Sequence, residues 1–445
     1  MKPRIAILCS LFFANSAPAL DVFLENDGSV PIVYVNVAVK AGAVTDPEGQ
    51  SGLTNFMGEM LLRGSQLRNK EKLDLELDQM GAQLEVETRS ESMIVRGAVL
   101  SAELNHFLRL LHEVLTRPSF PEIEIKKLKS EMISALLQEQ GNDHAISQRH
   151  FTEFLFMGHP YGKPIVGKIR DIEQLDRRKI TRHYDKLIRE QNMVLVASGD
   201  TDKGTLESWA SKLGKDRAGG ETIAIVPAPV NAPQKRLQII DKPERTQTQV
   251  QIGQVGALMT DPNYFPLYLG NAAFGGGSFS SRMMVEIRVK RGWSYGAGSA
   301  FRYGLKPRSW QAHFSPASKD SSQALGFALE LIESLRDKGV TQEEFDLAKE
   351  SAINGAGFMF NTPKKRVENT LLEKTLRLPD GLMKTYAAEL AKVSLSQTNL
   401  ALKKFLHPDR LAISVLATAK DLKDPLLQAA KTPPSELVVK SYTQD

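Results

Sequence analysis

The strongest restriction on the fold of this chain is that one pattern of elements occurs twice along it. A buried strand is predicted at 192–199, and a similar apolar run begins at Leu411, which lies 217 positions after Val194. Ahead of each of these strands, strand-like and helix-like periodicities come in blocks rather than as regular strand–helix–strand units. Such blocks favour the α+β class, with mostly antiparallel sheet, over a doubly wound fold. The sequence therefore predicts a duplication of one unit of roughly 200 residues, a size that can bury a full core.

The predicted elements follow a comparable order in the two halves. In the first half they are a strand at 30–40, helices at 53–62 and 70–81, two strands within 83–99, and helices at 101–116 and 121–140. In the second half they are strands at 236–241 and 247–256, two helices joined by glycines within 264–290, strands to about 317, and helices at 320–338 and 341–356. Thr341 and Glu344 predict a capping box at the start of the last helix. Glycines and prolines predict a linker at 221–235, between domains at 20–220 and 236–445.

The first 19 residues have the organisation of a secretory signal peptide. Lys2 and Arg4 form a charged start, 5–14 an apolar core too short to span a bilayer, and 17–19 a cleavage site of small residues. A buried first strand is the alternative interpretation. The single cysteine, Cys9, lies in this leader, so the mature chain is expected to have neither disulfides nor thiolate catalysis. Export without disulfides indicates a bacterial periplasm.

Charge and hydropathy exclude two classes of partner. The formal net charge of +5 falls to +3 when Lys2 and Arg4 are removed with the leader. No basic stripe interleaved with aromatic residues is present, so nucleic acid is not expected as a partner. No later apolar run is a candidate for spanning a membrane, so no membrane span is expected after removal of the signal peptide.

The residues from 275 to 303 carry the most distinctive pattern. Gly275, Gly276 and Gly277 predict a tight loop that needs backbone freedom. A helix is expected to follow at 281–290 and to end at Gly292, where a residue that tolerates positive φ is favoured. Alternation from 295 onward predicts a strand.

This order brings two polar side chains into range of each other. Arg288 is predicted near the helix end and Tyr295 at the start of the strand. A guanidinium offers a fixed fork of donors that suits a carboxylate or a carbonyl, and a phenol can donate to a developing oxyanion. The plainer alternative is that Arg288 is a surface helix cap and Tyr295 an ordinary core aromatic.

The glycines, then Ser281-Arg282, Ile287-Arg288 and Gly292-x-x-Tyr295, together resemble the C-terminal half of the M16 peptidases, the family of pitrilysin and mitochondrial processing peptidase. The resemblance implies two homologous halves, each a mostly antiparallel sheet with helices packed on one side. It also implies catalytic roles for Arg288, which would grip a substrate peptide, and for Tyr295, which would stabilise the oxyanion. Gly275, Gly276 and Gly277 would contribute to substrate binding.

The zinc motif of that family is degenerate here. M16 peptidases carry His-x-x-Glu-His on the first helix, with two ligands on one face and a glutamate as general base. In the matching frame Asn55 and Glu59 stand at the histidine positions and Gly58 at the general base. The third ligand position falls on Gln138, with Glu131 at an outer position. A solvated polar stripe is a simpler interpretation of Asn55 and Glu59 than a weak site for a hard cation.

The histidines offer no local substitute for this motif. No two of them are three or four positions apart, and each is expected to be a surface or capping histidine; they are His106, His112, His144, His150, His159, His183, His313 and His407. No metal and no other cofactor is therefore expected in this chain.

The resemblance thus implies the non-zinc subunit of an exported heterodimeric peptidase that hydrolyses peptides. A second M16 chain with an intact motif would bring the zinc, and this chain is expected to be inactive alone. Two alternatives stay open at this point. One is a non-enzymatic binding or assembly module, like the core subunits that M16 relatives lend to respiratory complexes. The other is a self-sufficient zinc peptidase with an unrecognised metal site.

Overall fold

The computed structural model describes residues 20–276 and 279–444, so the expected signal peptide at 1–19 lies outside the described residues. Within the described part, no helix is both long and apolar enough to cross a membrane. The first half contains β1 (Asp21–Asn26), β2 (Ile32–Val39), α1 (Leu53–Leu61), α2 (Lys70–Gln79), β3 (Gln83–Thr88), β4 (Met93–Leu100), α3 (Leu104–Thr116), α4 (Glu122–Glu139), α5 (Asp143–Leu155), α6 (Ile169–Glu173), α7 (Arg177–Leu187), β5 (Met193–Gly199) and α8 (Lys203–Asp216).

The second half repeats this mixture of elements. It contains β6 (Arg236–Asp241), β7 (Gln249–Val255), α9 (Tyr264–Gly275), a π-helical segment (Met284–Val289), β8 (Ala297–Phe301), β9 (Ser309–Phe314), α10 (Ser321–Lys338), α11 (Gln342–Ala356), α12 (Pro363–Leu376), α13 (Leu382–Lys392), α14 (Leu395–Phe405), β10 (Ala412–Ala417), α15 (Ala419–Ala430) and β11 (Leu437–Ser441). The capping box of Thr341 and Glu344 at the start of α11 is confirmed. The sequence patterns did not predict β1, β11, α5 to α8 or α12 to α15.

Each half is built on one sheet. The first sheet has the order β1-β5-β2-β4-β3, with β1 and β5 parallel and the other neighbours antiparallel. The second has the order β11-β6-β10-β7-β9-β8, in which β6 runs parallel to β10 and β11 and the other pairs are antiparallel. Two mostly antiparallel sheets with packed helices confirm the predicted α+β class.

One face of each sheet packs on helices of its own half. In the first half, Val35 of β2 and Val95 of β4 share a core with Phe56 of α1 and Phe107 of α3. In the second half, Ile252 of β7 belongs to a core that includes residues of α9, α10 and α14. Alternate strand residues supply these apolar faces, as the pleat requires.

The opposite face of each sheet is covered by a helix from the other half. Helix α5 lies across β7 and β10 of the second sheet, and its Phe151 and Phe154 share a cluster with Val255. Helix α12 lies across β2 and β5 of the first sheet, and its Val367 and Leu371 share a cluster with strand residues there. The expectation of helices on one side therefore describes only each half's own helices. The exchange makes the two cores interdependent.

The chain passes from one half to the other between α8 and β6. This stretch forms no helix or strand and contains the segment 221–235. The Ile223 N–H donates to Asn192 Oδ1 at 3.1 Å, and Val226 packs beside the cluster around α5. The passage is thus attached to both halves at these points, and the division into domains at 20–220 and 236–445 stays a prediction.

Candidate substrate-contacting site

Arg288 projects from a π-helical turn and not from the regular helix that the sequence predicted. The Lys290 N–H donates to Val285 O at 2.9 Å, which is the i→i+5 bond of a π-helix. Ile287 is fully buried in the core, while Arg288 is half-buried at the surface. The turn ends at Gly292, which has a φ of +62° and donates its N–H to Arg288 O at 2.9 Å. The predicted role of Gly292 is confirmed, because only glycine adopts this φ without strain.

Tyr295 lies in the loop before β8, so the prediction that it starts the strand is wrong. The strand begins at Ala297, and Tyr295 is 85% exposed. Its neighbour Ser294 is buried; the Ser294 hydroxyl donates to Gly296 O at 2.6 Å and accepts from the Ser315 N–H at 2.9 Å. These two bonds fix the loop to the sheet, so the exposed phenol projects from a well-held backbone.

The structure brings Arg288 and Tyr295 together and adds a third residue. The Arg288 Cζ lies 4.6 Å from the centroid of the Tyr295 ring and 5.1 Å from that of Phe279. A guanidinium this close to an aromatic ring is attracted by the negative charge of the ring face. Phe279 is itself 72% exposed. Phe279 was not predicted as a site residue; the signal for it in the sequence is a large apolar side chain in a stretch of glycine and serine.

Two of the three glycines have packing roles. Gly275 is the last residue of α9 and is buried, and a Cβ there would lie 2.6 Å from the Ser299 N of β8. A Cβ on Gly276 would lie 2.6 Å from the Ala272 Cα. Both glycines therefore allow close contact of backbones, and neither has a positive φ. Gly277 lies outside the described residues. A substrate-binding role for these three residues stays a prediction.

Arg282 fixes the start of the helical segment to the residues around the start of α11. Its Nε donates to Glu344 Oε1 at 2.7 Å, and its Nη2 donates to Gly339 O at 2.9 Å. Burial raises the pKa of Glu344, but the hydrogen bonds from Arg282 and from the Thr341 N–H outweigh it and hold the pKa below its usual value. Arg282 is thus neutralised by a carboxylate that also caps α11, whereas Arg288 is held by contacts with the rings of Phe279 and Tyr295.

The degenerate motif in the first half is closed by packing. Gly58 of α1 is buried, and a Cβ there would lie 2.8 Å from Met93 Sδ and 2.9 Å from Val86 Cγ1 of the adjoining strands. A glutamate at this position would therefore collide with the sheet. Asn55 and Glu59 share the half-buried face of the same helix.

A cation of the protein itself already occupies the carboxylates around Glu59. The Arg63 guanidinium pairs with both Glu131 oxygens, at 2.5 and 3.3 Å, and with Glu124 at 3.4 Å. Burial and the nearby Glu131 raise the pKa of Glu59, against the effect of Arg63. Gln138 is exposed on α4. The residues in this frame do not fit a zinc ion, since a fixed guanidinium competes with the metal and the first ligand position is an amide.

Two histidines, His144 and His313, lie near each other with ring centroids 6.5 Å apart, and the burial of three others differs from the prediction. His159 accepts from the Tyr161 N–H and is a capping residue as expected, but His112, His150 and His183 are buried. Among the described residues, no group of three or more His, Cys, Asp or Glu side chains is arranged to hold a metal.

Comparisons with known proteins agree with this fold. The sequence profile described as Insulinase (Peptidase family M16) matches residues 21–168, and that described as Peptidase M16 inactive domain matches 174–352. The non-peptidase homolog YmxG of Helicobacter pylori is 23% identical over 441 residues, covering 94% of this chain and 99% of the relative. The probable mitochondrial-processing peptidase subunit beta of Arabidopsis thaliana is 22% identical over 423 residues, covering 91% of this chain and 78% of that protein.

A solved structure extends the comparison to three dimensions. The crystal structure of a peptidase M16 inactive domain from Pseudomonas fluorescens matches this fold with a TM-score of 0.84 at 21% identity, covering 89% of this chain and 95% of that one. The two profiles together account for most of the chain, and both describe one family. The protein with this sequence belongs to peptidase family M16.

Proposed function

We propose that this chain is the non-zinc subunit of a heterodimeric M16-type peptidase, and that it contributes Arg288 and Tyr295 to a site whose zinc is bound by a second M16 chain with an intact motif. The observation that carries the proposal is a contrast within the chain. The Arg288 guanidinium and the Tyr295 ring are in contact at an exposed surface, whereas the zinc frame around Gly58 is closed.

The zinc of the partner would supply the activated water that attacks the peptide. Arg288 would bind the peptide, because a guanidinium held against a ring face keeps its N–H edge free for a carbonyl or carboxylate. The Tyr295 hydroxyl would donate to the carbonyl oxygen as negative charge develops on it. Tyr295 is exposed and makes ring contact with a cation, so its hydroxyl is accessible to a substrate.

The cellular setting belongs to the same proposal. The leader-like residues 1–19 support export to a periplasm, and the absence of cysteine after Cys9 agrees with a mature protein that needs no disulfide. The names of two relatives support the division of labour. One is called a non-peptidase homolog, and the other is called a subunit of a processing peptidase.

The test is a peptidase assay on this chain alone and on its mixture with a zinc-bearing M16 partner co-purified from the native host. We expect no chelator-sensitive turnover from the chain alone and clear turnover from the mixture. In the mixture, Tyr295→Phe should lower kcat about 10²-fold, as the loss of one oxyanion donor typically does.

Tyr442→Phe is the matched control, because Tyr442 contacts Lys242 far along the chain from this loop and should leave turnover unchanged. Chelator-sensitive activity of the chain alone would exclude the proposal. Full turnover of the Tyr295→Phe mixture would remove the oxyanion role. A stable complex that shows no turnover with any peptide would favour an assembly module.

A further inference from the structure

A groove of about 370 Å³ opens between α9 and α11, next to the segment that carries Arg288. Small side chains form much of its walls, so the two helices leave space between them; they include Ala272, Gly276, Ala348, Ala352 and Gly355. This volume lies in the range of small ligand sites and is large enough for one bulky side chain with its main chain.

The far end of the groove is aromatic and apolar. Tyr268, Tyr386 and Met359 line it, and the Tyr386 hydroxyl is already hydrogen-bonded to that of Tyr264 at 2.8 Å. The one carboxylate in the wall, Glu344, is paired with Arg282. The described lining of the groove therefore combines apolar with uncharged polar surface and holds no free charge to balance a charged ligand, so it disfavours an acidic or basic side chain.

One polar atom in the wall has no hydrogen-bond partner among the residues that the structure describes. It is the Oγ of Ser281, a residue that is 3% exposed and lines the groove. Buried hydroxyls almost always have a partner, and leaving one unpaired costs free energy. The Ser281 hydroxyl is buried at the groove wall, so a hydrogen-bonding group that enters the groove and displaces its cover would satisfy it.

We infer that this groove is a specificity pocket for one apolar side chain of a peptide, of the size of leucine or phenylalanine, with the Ser281 hydroxyl bonded to the peptide main chain. The inference rests on the proposed function and names the kind of residue that its substrate carries.

The position of the groove agrees with a peptide that also reaches Arg288. Ser281 and Arg288 are seven positions apart on one largely π-helical segment, which corresponds to at most about 10 Å along its axis. An extended peptide advances about 3.4 Å per residue, so roughly three residues span that distance. A single extended segment can therefore place one side chain in the groove while its main chain contacts Arg288.

The experiment measures peptide binding by the full mature chain, without partner or metal. The probes are fluorescein-labelled ten-residue peptides of glycine and serine with a single central Leu, Phe or Asp, followed by fluorescence anisotropy. We expect the Leu and Phe peptides to bind at least about tenfold more tightly than the Asp peptide, the ratio that burial of one apolar side chain produces.

Two variants fill the groove: Ala352→Leu in the wall and Ser351→Leu at its exposed rim, where the substitution leaves the core intact. Each should remove the preference for Leu and Phe. Glu350→Leu adds the same side chain to an exposed neighbour that does not line the groove, and should leave the preference unchanged. Ser281→Ala should weaken all three peptides alike.

Equal binding of the three peptides by the unmodified chain would overturn the inference. So would a preference that survives Ser351→Leu in a protein with an unchanged urea midpoint. Because the assay needs no turnover, an inactive mixture with an intact preference would exclude the peptidase proposal and leave the groove assigned. An active mixture in which the chain binds all three peptides equally would support the peptidase proposal and exclude the assignment of the groove.

Discussion

The first helix of the first half and the Arg288 segment of the second half differ in their exposure to a ligand. Helix α1 is closed on the side where its family would hold zinc: Gly58 packs against β3 and β4, and Arg63 binds the nearby carboxylates. The Arg288 segment is open, and the rings of Phe279 and Tyr295 beside it are among the most exposed large side chains in the described structure. The surface of α1 is thus packed against the sheet, whereas the side chains of the Arg288 segment are exposed to a ligand.

Helix α1 and the Arg288 segment also differ in how much they stabilise the fold. On α1, Phe56, Met57 and Met60 are completely buried, and each such side chain stabilises the fold by about 1.5–3 kcal/mol. The apolar face of α1 therefore accounts for the place of this helix in the core, whatever residues stand at the ligand positions. Exposed aromatic rings contribute little to folding, so the two rings beside Arg288 agree with the contact surface proposed above. The comparison shows that the first-half helix serves the core, while Arg288 and Tyr295 in the second half are exposed to a ligand.

The largest effect is expected from an attempt to restore the general base. Gly58→Glu should lower the free energy of unfolding by about 4 kcal/mol, since an overpacked core and a buried carboxylate both add cost. The collision is with Met93, which is fully buried, and Val86. Urea denaturation followed by circular dichroism measures the change.

The matched control for that substitution is Asn55→His on the half-buried face of the same helix. It restores a ligand without entering the sheet, and its unfolding free energy should stay within about 1 kcal/mol of the parent. A Gly58→Glu protein as stable as the Asn55→His protein would show that the general-base position is open, and the contrast between the halves would fail.

Sequence patterns predicted what local periodicity records. The apolar face of α1, the capping box at Thr341 and the positive φ of Gly292 were all readable, because each depends on neighbours within a few residues. The exchanged helices α5 and α12 were not predicted. They pack against strands of the opposite half, and α5 meets a polar face, where Gln148 and Gln311 bond reciprocally at 2.9 and 3.3 Å.

The candidate site was predictable only in part, for the same reason. Arg288 and Tyr295 could be named from their spacing within one motif. The clash that explains Gly58 involves β3 and β4, and the glycine at 275 is explained by β8. Phe279 contacts Arg288 across a turn that no helical or strand period describes. These features depend on contacts that no local periodicity describes, mostly between elements distant in the chain. A single sequence does not reveal such contacts.

The next effect concerns a buried polar network at the start of α1. Asp46 accepts from the Gly52 and Thr54 N–H groups at 2.8 Å, and the Thr54 hydroxyl lies 2.8 Å from His183 Nε2. Burial, aided by Lys186, lowers the pKa of His183 to about 4. Burial raises the pKa of Asp46 to about 6 despite its hydrogen bonds.

These two shifts have opposite signs in a stability profile. Between pH 6.5 and 4 the unfolded chain protonates His183 while the folded protein does not, so acid removes about 3 kcal/mol through this residue. Asp46 takes up its proton in the folded state first, so it adds stability as the pH falls from 6 toward 4. We expect His183→Gln to delete the first effect and keep the second.

The measurement is the difference in unfolding free energy between the unmodified chain and His183→Gln, taken at several values from pH 7 to pH 4. That difference should shift by about 3 kcal/mol in favour of the variant as the pH falls. A constant offset from lost packing does not affect the slope. If the unfolding free energies of the two proteins ran parallel with pH, His183 would titrate normally. Water would then reach the region around α1 more than its burial indicates.

The smallest effect is expected at the open surface, where Phe279 only holds Arg288 in place. Phe279→Leu should raise KM of the mixed peptidase about threefold and leave kcat nearly unchanged, because an exposed cation–π contact is worth about 0.5–1 kcal/mol. Val289→Ala removes an equally exposed apolar side chain beside Arg288 and should change neither constant. A fall in kcat with KM unchanged would indicate that Phe279 acts in the transition state with Tyr295, and the division between a binding cation and an oxyanion donor would have to be redrawn.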